Sequence, residues 1–166
     1  AWDDIIGAEL DPKEVRAARL MEIGYAMKKN VWTNTKGSDA IRRGWKIIET
    51  KWIDINKGDE DNPEYRSRLV AEEIKTDNRL DLLAATPRLE SKKLLFRFAV
   101  TESIGFIEGQ RDQGMKIDFI DISRAYFQAK AMRQAYVNLP DEDATEGMCG
   151  RLNQSMYGTG DAAQNW

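Results

Sequence analysis

Residues 46–71 read KIIETKWIDINKGDEDNPEYRSRLVA, and this stretch decides the fold class. KIIETKWIDIN is rich in isoleucine and tryptophan and is bounded by polar residues, which predicts a strand. Lys57 to Pro63 is a charged turn with glycine and proline as punctuation. YRSRLVA, residues 65–71, predicts the returning strand of a long hairpin. Side chains alternate along a strand, so Arg66 and Arg68 share one face while Tyr65, Ser67 and Leu69 share the other. Arginine forks on one face suit phosphate oxygens. An ordinary solvated hairpin face has the same pattern. Lys51, on the partner strand, is a third cation for the same role.

Upstream of the hairpin, Asp11-Pro12-Lys13-Glu14 is a helix start, with an N-cap, a proline at the first position and an acid in the first turn. Val15, Ala18, Met21 and Tyr25 come next at helical spacing and predict a helix over 12–29, ended by Asn30. Val31-Trp32 resumes as extended chain, Thr33 to Ser38 reads as a turn, and 38–43 as a short helix. Downstream, 75–88 reads as irregular. Leu94, Leu95, Phe98 and Ala99 give an apolar stripe to a helix over 88–104, closed by Gly105 and Gly109. KIDFIDIS, 116–123, predicts a third strand with Asp118 and Asp121 on opposite faces. A helical stretch over 124–132, a short strand in QAYVNLP, and a strand, glycine turn and new helix capped by Asp161 complete the reading. Strands and helices in this mixed order predict an α+β fold: an antiparallel sheet packed by helices. That last helix is expected to run on past Trp166, as the front part of a larger fold would.

Composition narrows the chemistry. The 166 residues contain no histidine and one cysteine, Cys149. This excludes Ser-His-Asp and Cys-His machinery, imidazole bases, disulfide frameworks and cysteine-cluster zinc sites. Residues 1–10 have neither a basic start nor an apolar run, so no secretory signal is expected, and no stretch is apolar enough for a membrane span. The formal net charge is −3. Binding to nucleic acid therefore requires locally clustered cations. Arg42, Arg43 and Lys46 around Trp45 form one such cluster, which suits template phosphates or a solvated turn equally well. The acidic run Asp141, Glu142, Asp143 and Glu146 reads as a solvated loop. The five tryptophans read as core anchors rather than base-stacking platforms.

Five blocks carry a resemblance: KWIDINK, YRSRLVA, IDISRAYFQA, YVNLP and MYGTGDAAQNW. In order and approximate spacing they resemble the reverse transcriptase of copia-type retrotransposons, whose blocks run roughly KWVFKIK, YKARLVA, DVKTAFL, YMxxP and LYGLKQAPRxW. The likeness extends from Trp32 to Trp166. It implies the fingers and the start of the palm of a right-hand polymerase, truncated. Residues 1–110 would hold an N-terminal extension, the fingers hairpin and a palm helix. Residues 111–166 would hold the first palm strand, with its catalytic motif, and a further fingers or palm segment. IDISRAYF is similar to the first catalytic motif of such polymerases. The match implies that Asp121 is a catalytic, metal-binding aspartate, with the backbone carbonyl of Ile122 as a second ligand for Mg²⁺ or Mn²⁺. It implies that Tyr126 lies under the incoming sugar, and that Arg66, Arg68 and Lys51 meet the triphosphate.

Without the resemblance, Asp121 reads as a strand-end turn residue and Tyr126 as core. The implied partners are an RNA or DNA template-primer and a deoxynucleoside triphosphate, with no membrane, inside a larger polyprotein. The implied setting is intracellular, in a cytoplasmic particle or the nucleus. Two features depart from the family. The Y-x-D-D motif with the remaining metal-binding aspartates is expected beyond Trp166, and the family's Lys-Gln pair reads Gly160-Asp161. Two-metal nucleotidyl transfer needs several converging carboxylates. The isolated chain is therefore expected not to polymerise. A degenerate, non-enzymatic remnant that binds nucleic acid or a protein is the alternative.

Overall fold

A computed structural model of the chain describes residues 1–59, 61–74, 87–110 and 113–166. The architecture is mixed α+β. The chain divides into two compact units, Ala1–Leu83 with Arg124–Trp166, and Ala84–Ser123.

The larger unit begins with helix α1, Pro12–Lys28. The Asp11 carboxylate accepts a hydrogen bond from the Lys13 amide at 2.8 Å, and Pro12 occupies the first turn. This satisfies an amide that the helix itself leaves unpaired. Val15, Ala18, Glu22, Ile23 and Ala26 form its buried face. Asn30 adopts a positive φ of 51° and turns the chain, and the Val31 amide donates back to the Ala26 carbonyl.

Strand β1, Trp32–Lys36, replaces the turn expected over 33–38. Helix α2, Gly37–Arg42, comes directly after it. The expected single strand over 46–56 is two: β2, Ile47–Ile48, and β3, Thr50–Asn56, separated at Glu49. They belong to different sheets. β3 pairs antiparallel with β4, Tyr65–Ala71, in a two-stranded hairpin whose register runs from Thr50 opposite Ala71 to Asn56 opposite Tyr65. β2 pairs parallel with β5, Tyr136–Val137. β6, Met148–Leu152, lies between β5 and β1, giving the order β1-β6-β5-β2. The expected turn over 57–63 includes Glu60, outside the described residues, as are 75–86 of the expected irregular stretch.

The core of this unit gathers Ile23 and Ala26 of α1, Trp32, Ile48, Leu69, Ala71, Val137 and Leu152 of the strands, and Phe127 and Met156 of the connecting segments. One face of the four-stranded sheet thus joins α1 and the hairpin in a single apolar interior. The outer face carries a smaller cluster of Ala40, Tyr136 and Cys149 under α2. Burial pushes the Cys149 thiol up, which keeps it protonated. The predicted helix over 124–132 is a single 3₁₀ turn, Ala125–Gln128, entered through Arg124 at a φ of 50°. A short helix α4, Ala162–Asn165, ends the unit.

Polar side chains also tie the unit together. Asp54, buried on β3, accepts from the Arg19 guanidinium at 2.6 Å and from the Ser67 hydroxyl at 2.6 Å. Arg19 also reaches Glu142 at 3.1 Å, and the Trp52 indole donates to the other Glu142 oxygen at 3.0 Å. Trp32 donates to Asp143 at 3.2 Å. The acidic run is therefore not a solvated loop: two of its four carboxylates hold tryptophans and an arginine. The tryptophans divide as well. Trp32 is buried and Trp52 half-buried, while Trp2, Trp45 and Trp166 are exposed.

The smaller unit contains helix α3, Leu89–Val100, shorter than the expected 88–104 because Thr101 turns to an extended backbone. None of its residues is buried. The expected third strand over 116–123 does not form, and the segment is without ladder pairing. A strand needs a partner for its amides and carbonyls, and the described residues of this unit contain no other strand. Phe119 and Ile120 are each 81% exposed. No helix among the described residues is long and apolar enough to cross a membrane.

Candidate functional site

The hairpin register fixes the arginine face. Arg68 lies opposite Ile53 and Arg66 opposite Ile55, with Lys51 opposite Val70 on the same side. The other face carries Ser67, Leu69 and Ala71, all buried. The alternation expected from the sequence is therefore present, and both arginines are half-buried rather than fully solvated.

What packs on the arginine face comes from the far end of the chain. The Ala71 amide donates to the Tyr157 carbonyl at 2.7 Å, which docks the 156–160 turn on the end of β4. Gly158 makes this approach possible. Its φ is +84°, and a Cβ there would lie 1.9 Å from the Ala71 carbonyl oxygen. Only glycine accepts both conditions without strain. The docked turn brings the Tyr157 ring beneath Arg68, whose guanidinium carbon stands 5.5 Å from the ring centroid. That is within the range of a cation–π contact. Tyr126 packs on Tyr157 with ring centroids 4.8 Å apart, and Phe127 meets Tyr157 edge-on at 5.7 Å. Phe127 is the fully buried member of the Tyr126-Phe127 pair, and Tyr126 is left half-buried. Tyr126 thus packs, through Tyr157, at the edge of the core.

Electrostatics around this cluster are mixed. Burial pushes the Tyr157 phenol above its usual range, while the Arg68 and Arg66 guanidiniums pull it the other way. Glu22, buried on α1, is paired with Arg124, and Arg124 also lies over the Tyr25 ring with its guanidinium carbon 4.4 Å from the centroid. Lys51 is engaged elsewhere: its ammonium pairs with Glu72 at 2.9 Å, which raises its pKa. It would have to leave Glu72 to meet a phosphate. Arg66 and Arg68 have no carboxylate partner among the described residues. Two guanidiniums beside two phenol rings can hold an anionic group and offer a flat apolar surface next to it.

Tyr157 is the residue that sequence reasoning passed over. Its signal was the aromatic residue immediately before Gly158-Thr159-Gly160, a turn able to bring a ring close to another backbone. Asp161 stands at the N-cap position of α4 without capping it. Its carboxylate pairs with Arg133 at 3.0 Å instead. Arg133 also pairs with Glu73, whose carboxylate accepts from the Gly160 amide at 2.7 Å.

Asp121 and Ile122 belong to the smaller unit. Both are exposed, in the unpaired segment before Arg124. Among the described residues no three carboxylate or thiol side chains converge where a metal ion could sit. Mg²⁺ takes six oxygen ligands and usually keeps several waters. One exposed carboxylate and one carbonyl do not by themselves build such a site. Comparison with family models, with curated proteins and with solved structures finds no match to this chain.

Proposed function

We propose that this chain forms the fingers and early palm of a copia-type reverse transcriptase, and that its own contribution is to hold the incoming deoxynucleoside triphosphate. The observation that carries this reading is the Arg68–Tyr157–Tyr126 stack on the arginine face of the hairpin. Arg68 and Arg66 meet the triphosphate. The Tyr126 ring underlies the sugar, where an added 2′-hydroxyl is disfavoured. Asp121 supplies one ligand toward Mg²⁺ or Mn²⁺ in a complete polymerase, with further carboxylates from outside this chain. Because the residues here do not complete a metal site, the role assigned to the chain stops at binding and orienting the nucleotide. A template-primer is the second substrate of the complete enzyme.

The reading is tested by titrating the chain with a fluorescent deoxynucleoside triphosphate and its ribose counterpart. Wild type is expected to prefer the deoxy form. Tyr126→Val is expected to bring the two affinities within about twofold, because the van der Waals contact that separates them is removed. Equal affinities in wild type, or an unchanged preference in the variant, would contradict the role of Tyr126. A second reading, a non-enzymatic remnant that binds nucleic acid, is favoured by one observation: the segment bearing Asp121 is unpaired and exposed. The same titration separates the two, since a remnant keeps no preference between sugars.

A further inference from the structure

The turn that carries Tyr126 is held at both ends by one stripe of α1 and its C-cap. Glu22, Tyr25 and Lys29 follow one another at i, i+3 and i+7, so they share one side of the helix. At the entry to the turn the Arg124 guanidinium pairs with Glu22 and lies over the Tyr25 ring, its carbon 4.4 Å from the centroid. At the exit the Gln128 amide donates to the Tyr25 hydroxyl at 2.8 Å, and its oxygen accepts from the Lys29 ammonium at 2.8 Å. Between the two ends Phe127 stacks on Tyr25 with centroids 6.4 Å apart. Tyr126 takes its place from this frame, and its own ring meets Tyr157.

Two features of the entry are unfavourable by themselves. Arg124, where the chain re-enters the larger unit, has φ 50° and ψ 50°. A residue with a Cβ keeps that left-handed conformation only where its surroundings hold it. Glu22 has 2% of its side chain exposed, and one of its two oxygens is buried without a donor among the described residues. A buried ion pair adds little net stability over apolar packing, and an unpaired buried oxygen adds a cost. What the pair supplies is direction: the carboxylate fixes the guanidinium, and the guanidinium fixes the start of the turn. The stack itself lies close by, since the Glu22 charge adds to burial in raising the Tyr157 phenol.

We infer that Glu22 is a positioning residue for sugar discrimination: through Arg124 it fixes the turn so that the Tyr126 ring does not swing aside for a 2′-hydroxyl. The inference rests on the nucleotide reading of Tyr126. Excluding one oxygen requires a wall that does not yield, and a displacement of about 1 Å is enough to change such a fit. Neither Glu22 nor Arg124 touches the nucleotide in this account.

Two measurements on the full chain test it, each with wild type, Glu22→Gln and Arg124→Gly. Glu22→Gln keeps the side-chain shape and removes the charge. Arg124→Gly removes the guanidinium while making the left-handed backbone easy to adopt. The first measurement is amide hydrogen exchange at Phe127 and Ala129, which donate to the Arg124 and Tyr126 carbonyls at 3.0 and 3.1 Å. Exchange there is expected to speed up about tenfold or more relative to the Leu152 amide of β6, the mark of local rather than global loosening. The second is the ratio of affinities for a fluorescent deoxynucleoside triphosphate and its ribose counterpart, expected to narrow about threefold or more in both variants. A merely structural role lowers both affinities together and leaves the ratio intact. Unchanged relative exchange in the variants would overturn the inference whatever the chain binds. So would an intact ratio in variants of a wild type that does prefer the deoxy form. Equal affinities for the two sugars in wild type would overturn the nucleotide reading itself, and the role of Glu22 in discrimination with it.

Discussion

Helices α1 and α3 both carry apolar stripes, and only α1 buries one. In α1 the stripe of Val15, Ala18, Ile23 and Ala26 closes over the strands, and the Tyr126–Tyr157 pair adds aromatic rings from two other parts of the chain. In α3 no residue is buried, although Leu94, Leu95, Phe96 and Phe98 fall within two turns. The difference in burial does not follow amphipathic pattern, which is the stronger in α3. It lies in the partners: the described residues of the larger unit supply six strands, and those of the smaller one supply none. Apolar spacing marks the side of a helix to be covered. Packing requires something to cover it.

Paired substitutions sharpen this contrast. Phe127→Ala is expected to cost about 3–5 kcal/mol in urea unfolding, because a fully buried ring leaves a cavity. Phe96→Ala, on the exposed helix, is expected to stay within about 0.5 kcal/mol. Similar losses at the two positions would show that α3 is covered in solution.

Gly158→Ala comes next. Its positive φ and the clash with the Ala71 carbonyl together predict a loss of about 3 kcal/mol. Undocking of the turn would also remove Tyr157 from beneath Arg68, so a stability loss without any change in nucleotide binding would separate the turn from the site.

The smallest expected effect is acid sensitivity, carried by two carboxylates of the larger unit. The Asp3 carboxylate sits below its usual range because it accepts from the backbone amides of Asn56, Ile6 and Ile5. Burial tends to raise Glu142, but its own backbone amide, Arg19 and Trp52 outweigh that and hold it low. Both groups therefore take up protons more readily in the unfolded chain. Their contribution is complete above the ordinary carboxylate range of about 4–5 and fades as pH drops through the folded values. Urea midpoints between pH 7 and pH 3 are expected to fall. Glu142→Gln is expected to lessen the dependence, and an unchanged dependence would remove Glu142 from it.

Sequence alone made the locally encoded parts legible. Asp11-Pro12 fixes the start of α1, and the alternation of β4 places Arg66 and Arg68 on one face, because both depend on residues a few positions apart. The parts that escaped depend on distant partners. β1 is a strand because β6, more than a hundred residues later, pairs with it. Glu142 and Asp143 are structural because Arg19, Trp52 and Trp32 come back to meet them. KIDFIDIS has strand composition, yet composition does not supply a ladder. At the candidate site the shared face of Arg66 and Arg68 was readable. Tyr157 was not, since its place depends on a glycine turn docking on a strand eighty-six residues earlier, between Ala71 and Tyr157.

The most direct measurement compares deoxynucleoside triphosphate affinity in wild type, Arg68→Ala and Lys13→Ala. The stack on Tyr157 places Arg68 at the centre of the account, so Arg68→Ala is predicted to weaken binding by about tenfold or more, the loss of one charge-assisted phosphate contact of about 1.5–3 kcal/mol. Lys13→Ala is predicted to leave binding unchanged. Equal affinities in wild type and Arg68→Ala, or no binding by wild type, would contradict it.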